Sequence, residues 1–291
     1  MSTFGVFGDF RVKAQWQMQE FALRSYRRLG LFRALHPRKF RLYHVGISKS
    51  GTHSIASVFN RRHLSAHEPE AYRTIDLVVR HYEGLPAAEV DEELLIRDER
   101  LYLELEASHL LSEFVPNLVR LFPDAKFILT LRDPISWLES VYRQIHRNQD
   151  LRRLRDWERL RLVRAKAVGP LPDESRFHDE NIPSIAGSFR RFRVHHERVL
   201  ATVPADRLMI LQMQDIGAKL GEIARFAGVP EHSLKPESAH SYKRLREGSV
   251  IEHVPAEYVD EVARHECGDL MQRFFPDAKS MAERRVKLTK K

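Results

Sequence analysis

The chain predicts an α/β fold, a central parallel sheet flanked by helices, because three separate stretches each read as strand, turn and helix. The first runs from the strand-like Phe40–Val45 through a turn at Gly46–Gly51 into a helix with Ile55, Val58 and Phe59 at i, i+3 and i+4. The second spans Phe122–Pro134. It has a turn at Pro123-Asp124, a buried apolar strand ending at Leu131, and a helix opening on Pro134 with Leu138, Val141 and Tyr142 on its apolar face. The third is the strand Arg207–Met213, then Asp215, then a helix with Ile216, Leu220, Ile223 and Ala224 on one side that stops at Gly228-Val229-Pro230. Between the first two, His63–Pro69 reads as a second strand running into a loop.

Composition narrows the class. At 291 residues with ordinary apolar content the chain can bury a sizeable core, and no Gly/Ser-rich linker divides it. The single cysteine, Cys267, excludes an internal disulfide framework, suits a reducing compartment and reads as a small core residue. No apolar run reaches the ~18 residues of a membrane span, and no signal-peptide pattern is present, so the expected location is cytoplasmic. The formal charge of +8 comes from arginines spread along helices without an RNA- or DNA-binding motif. That argues against a nucleic-acid partner and for a ligand carrying several negative charges. The densest basic stretch, Arg152 to Arg164, reads as an amphipathic helix with a solvated face, or as a lid over a substrate site. Gln15–Leu35 reads as a basic helix packed on the domain.

The turn Gly46-Ile47-Ser48-Lys49-Ser50-Gly51-Thr52-His53-Ser54 carries the chemistry. A glycine-containing turn between a strand and a helix N-terminus collects backbone N–H groups and the positive end of the helix dipole, and Lys49 adds a full charge. Gly46 and Gly51 have the glycine spacing of a Walker A loop, but Thr52 and His53 stand where its lysine and magnesium-binding hydroxyl belong. A second anion ligand follows about eighty residues on. Arg132 ends its strand, and Ser140 lies eight residues later on the following helix, so guanidinium and hydroxyl can grip one phosphate together. No His/Cys cluster has metal-ligand spacing, so no metal is expected.

The K-x-G-T of Lys49–Thr52 resembles the 5′-phosphosulfate loop of sulfotransferases that use 3′-phosphoadenosine 5′-phosphosulfate (PAPS). Arg132-Asp133-Pro134 with Ser140 resembles their 3′-phosphate motif, and Phe226–Pro230 resembles their "FLGVP" terminus. The resemblance spans Phe40 to Pro230 and implies a P-loop-kinase-like sulfotransferase fold. It further implies one domain over 1–291, with a helical extension (1–39), a nucleotide-binding core (40–230) and a C-terminal loop and helix (231–291). It implies PAPS as co-substrate, Lys49 on the leaving group, and Ser50, Gly51, Thr52, His53 and Ser54 as donors to the 5′-phosphate. His53 departs from the family's second threonine or serine, and Ser54 from the tryptophan that stacks on adenine in the cytosolic branch. For the general base two positions stay open: Glu68, where heparan-type and related enzymes carry a glutamate, and His109, where cytosolic enzymes carry a histidine. Glu106 is a further candidate, beside Ala107 where relatives have a lysine. Lys243 and Arg244 match a late basic loop over the 3′-phosphate. The acceptor, a hydroxyl on a small molecule, lipid, sugar or peptide, is set by loops around 69–100 and 143–185. The competing class is a P-loop kinase or NTPase, or a non-catalytic nucleotide-binding relative.

Overall fold

Five parallel strands form the sheet in the order β2-β3-β1-β4-β5: β1 Leu42–His44, β2 Ser65–His67, β3 Leu105–Ala107, β4 Lys126–Leu131 and β5 Leu208–Gln212. They belong to a computed structural model that describes residues 30–60, 62–147, 160, 183–238 and 250–289. The helices are α1 Gly30–Leu35, α2 Thr52–Phe59, α3 Ala71–Tyr82, α4 Ala87–Leu101, α5 Val115–Leu121, α6 Pro134–Arg147, α7 Ile185–Thr202, α8 Leu220–Ala227, α9 Ala256–Phe274 and α10 Met281–Thr289. The expected α/β class with a parallel sheet flanked by helices is therefore the observed one.

A parallel strand needs both faces covered, and β4 shows how the sequence meets that need. Phe127, Leu129 and Leu131 enter a core with Tyr43, Ile75, Val78, Leu94, Phe114 and Val199. Ile128, one residue out of phase, enters the opposite core with Leu42, Ile55, Phe59, Leu105 and Ile223. A third cluster, beyond the sheet, joins Trp137, Leu138 and Tyr142 of α6 to Phe189 and Phe192 of α7 and to Val259 and Cys267 of α9. Ile47, from the turn after β1, is buried in that same cluster. Cys267 is the core residue expected, its thiol pushed up to about 12 by burial.

Three segments differ from the sequence reading. Residues 69–100, expected as pocket-lining loops, are largely α3 and α4, whose amphipathic faces pack on the sheet. Asp215 closes a short 3-10 turn, Met213–Asp215, and the helix begins only at Leu220. Of Gln15–Leu35 only Gly30–Leu35 is described, and it is helical. From Arg152–Arg164 only Leu160 is described, and it is buried against the first core. No helix among the described residues is long and apolar enough to cross a membrane.

Candidate functional site

All the parallel strands point one way, so the residues that follow their C-terminal ends share one edge of the sheet. The turn 46–51 follows β1, Glu68 follows β2, His109 lies two residues beyond β3, and Arg132 follows β4.

The turn after β1 is shaped from inside. A Cβ at Gly46 would lie 2.5 Å from Ser50 Oγ and 2.7 Å from both His44 and Thr130, so only glycine lets the chain cross there. Lys49 and Gly51 take positive φ of 70° and 106°, which curls the backbone into the entry of α2. Gly51 makes no side-chain capping bond at that entry. Two bonds from α6 and β4 hold the turn: the Trp137 indole donates to Ser48 O at 2.8 Å, and Arg132 donates from Nη1 to Lys49 O at 3.1 Å.

The Ser50 side chain is turned into the loop. It is fully buried, and its hydroxyl donates to Ile47 O at 2.6 Å with Thr130 Oγ1 at 3.2 Å. Its part is to shape the turn. Thr130 Oγ1 in turn lies 2.6 Å from His44 Nε2, and burial pushes His44 down to about 3, so this imidazole stays neutral.

The other predicted donors gather around α2. Thr52 Oγ1 lies 3.0 Å from His67 Nε2. His53 is exposed, its ring centroid 5.2 Å from that of His67 and its Nδ1 3.3 Å from Ser57 Oγ. Ser54 is half-buried on the same turn. His67, unremarked in the sequence, ties the turn to the candidate bases: its Nε2 is 3.9 Å from Glu68 Oε1. Burial lowers the His67 pKa while Glu68 raises it and His53, His109 and Lys49 lower it further. Its side chain keeps 30% exposure, which softens that push.

The two candidate bases are in direct contact. Glu68 Oε1 and His109 Nδ1 form a short hydrogen bond, with both side chains largely buried. Glu68 (φ 47°) and Glu70 (φ 53°) flank Pro69 in strained left-handed backbone, a geometry that only surrounding contacts sustain. Those contacts come from α4 and β3. Arg97 donates to Pro69 O at 2.8 Å, Arg100 pairs with Glu70, and Glu68 N donates to Ala107 O at 2.9 Å. Glu106, the further candidate, is buried and paired. It accepts Arg97 in a bidentate pair, with Nη2 at 2.6 Å from Oε1. Burial pushes the Glu106 carboxyl up and Arg97 opposes that push.

At Arg132 the fold adds a hydroxyl one helical turn before Ser140. Arg132 Nε donates to Ser136 Oγ at 3.0 Å, and Ser140, half-buried, sits four residues further along the same face of α6. Ser136 was hidden in the sequence because the family motif names only the second hydroxyl. Lys243 and Arg244 lie outside the described residues. Among the described residues no cluster of His, Cys, Asp and Glu has the geometry to hold a metal ion.

A family model described as a sulfotransferase domain matches residues 41–235. Among solved structures, the chain is similar to a sulfotransferase from Alicyclobacillus acidocaldarius, at 14% identity over 81% of this chain and 95% of that one, TM-score 0.49. It is also similar to sulfotransferase STF9 from Mycobacterium avium, at 12% identity over 89% and 82%, TM-score 0.49. A sulfotransferase domain from the curacin biosynthetic pathway aligns at 12% identity over 80% and 98%, TM-score 0.38. None of these scores reaches 0.5, so family membership rests on the domain match. No curated protein sequence matches the chain.

Proposed function

The chain belongs to the sulfotransferase domain family, and on that premise we propose that it moves a sulfuryl group from PAPS to an acceptor hydroxyl, releasing 3′-phosphoadenosine 5′-phosphate. The observation that carries this reading is the convergence of four strand ends: the Lys49 turn, Arg132 with Ser136, and the Glu68–His109 pair share one edge of the sheet. The donor would enter as substrate. The uncapped entry of α2 at Gly51 and the left-handed Lys49 and Gly51 backbone fit an anionic 5′-end. Arg132, buried at the end of β4, fits a 3′-phosphate.

Transfer of this type is in line. The acceptor oxygen forms a bond to sulfur as the bond from sulfur to the 5′-phosphate oxygen breaks, and that oxygen keeps the electron pair. Three tasks fall to the protein. Lys49 and the N–H groups at the start of α2 stabilise the negative charge on the departing phosphate. Arg132 fixes the far end of the nucleotide. The acceptor's proton goes to the Glu68–His109 unit. With Glu68 accepting the Nδ1–H of His109, the neutral imidazole presents its Nε2 lone pair as the base, and the carboxylate steadies the imidazolium that forms. The acceptor class is a hydroxyl on a small molecule, lipid, sugar or peptide.

A P-loop kinase is disfavoured by Ser50. The hydroxyl next to the loop lysine, which such an enzyme directs at magnesium, is turned inward onto Ile47 O. Calorimetric titration with 3′-phosphoadenosine 5′-phosphate and, separately, with Mg-ATP tests the reading. Micromolar, metal-independent binding of the bisphosphate is expected, weakened at least tenfold in Arg132→Ala. Donor turnover is expected to be lost in Lys49→Ala. Preference for Mg-ATP would overturn the assignment.

A further inference from the structure

The family match ends at residue 235, yet a residue far beyond it reaches the donor motif. Arg284, on α10, donates from Nη2 to Asp133 Oδ1 at 2.8 Å. Asp133 is the residue after Arg132, so its carboxylate is the nearest opposite charge in the sequence and a natural competitor for the guanidinium. In the fold that carboxylate has other partners. Its Oδ1 also accepts the Ser136 backbone N–H at 2.9 Å, and its Oδ2 accepts the Ser136 hydroxyl in a short bond. Ser136 Oγ, having given its proton to Asp133, accepts Arg132 Nε at 3.0 Å. Arg132 Nη1 then donates to Lys49 O at 3.1 Å. One polar chain thus runs from the C-terminal helix through Asp133, Ser136 and Arg132 to the backbone of the loop lysine.

The position of Arg284 is built, not incidental. Ser280 and Glu283 form a capping box at the start of α10, with Glu283 Oε2 accepting Ser280 N at 2.8 Å and Ser280 Oγ accepting Glu283 N at 3.1 Å. Asp260 of α9 accepts the next two N–H groups, Met281 at 2.6 Å and Ala282 at 3.2 Å. Arg284 Nε is held by Lys279 O at 2.9 Å, and Met281 is buried in the cluster that contains Trp137. Glu139 of α6 lies 3.9 Å from Arg284 Nη1, a second carboxylate on the same side.

We infer that Arg284 is a positioning residue of the donor site: by neutralising Asp133 it keeps the charge of Arg132 for the donor's 3′-phosphate. The inference rests on the functional reading above. Loss of Arg284 leaves Asp133 uncompensated beside Arg132, which draws the guanidinium toward the carboxylate and weakens phosphate binding.

The test is a double-mutant cycle on the full chain, titrated with 3′-phosphoadenosine 5′-phosphate, with the thermal midpoint of each variant recorded. Arg284→Ala is expected to weaken bisphosphate binding about tenfold, and to raise the KM for PAPS while leaving kcat nearly unchanged. Arg284→Lys, which keeps the charge, is expected to recover most of the affinity. In the Asp133→Asn background, where the cap survives without its charge, Arg284→Ala is expected to add little further loss. Wild-type affinity in Arg284→Ala overturns the inference. So does an equal loss in both backgrounds, which would mean that α10 acts only by packing. A wild-type chain that fails to bind the bisphosphate overturns the functional reading itself.

Discussion

Glu68 and His109 are 41 positions apart and came out of the sequence as rival bases; the fold puts them in one hydrogen bond. The rivalry arose because each residue matches a different branch of the family, and a linear motif carries no information about contact across a sheet. His67 and Ser136 were missed for a related reason, since neither belongs to a motif and each acts through a neighbour. The pairing makes a division of labour measurable with water as the acceptor, as sulfate released from PAPS. His109→Ala is expected to slow release by about 10²–10⁴. Glu68→Gln, whose amide oxygen still accepts Nδ1–H, is expected to retain a larger share of the rate. The opposite ranking would make Glu68 the base and His109 its support.

The strand–turn–helix units were legible because their signals are local: apolar runs, glycines at the turn and proline at the start of α6. What the turn after β1 presents was not legible, because its interior is filled by residues from β1 and β4. Gly46 shows the difference. In the sequence it is one of two glycines in a loop, whereas in the fold its missing Cβ is the space occupied by Ser50, His44 and Thr130. Gly46→Ala is therefore expected to destabilise the protein by about 1–3 kcal/mol through overpacking and to weaken bisphosphate binding by displacing Lys49. An unchanged melting temperature with unchanged affinity would show that the turn relaxes at no cost. The short β1, β2 and β3 illustrate the same limit. Each has three residues; β1 and β2 are still legible from the apolar run and the turn beside them, whereas β3, with its buried Arg97–Glu106 pair, carries no such signal.

Across the whole molecule, three buried histidines link stability to acidity. Burial holds His44 near 3 and His196 near 4, and pushes His195 well down, with His196, Arg191 and Arg198 adding to that push and Glu113 opposing it. Nδ1 of His44 and Nε2 of His195 and His196 have no hydrogen-bond partner among the described residues. The folded state thus binds fewer protons than the unfolded chain, whose histidines titrate near 6.5. Stability from these groups is complete above that value and is lost as pH falls below it. Each should forfeit about 1 kcal/mol between pH 7.5 and 5.5. Thermal midpoints over that range are expected to fall, and to fall less in His196→Gln. A flat profile in the wild-type chain would contradict the neutral, buried assignment.

The sequence by itself determined the class of fold, the strand-to-helix turn that carries Lys49, the arginine that ends β4 and the family, because each is written in contiguous residues whose spacing reflects local geometry. Only the tertiary structure decided that Glu68 and His109 share a hydrogen bond, that Ser50 points inward, that Arg97 answers Glu106 and that Arg284 answers Asp133. Those are contacts between strand ends and distant helices. Parallel strands bring them to one edge because every crossover returns the chain to the same side of the sheet.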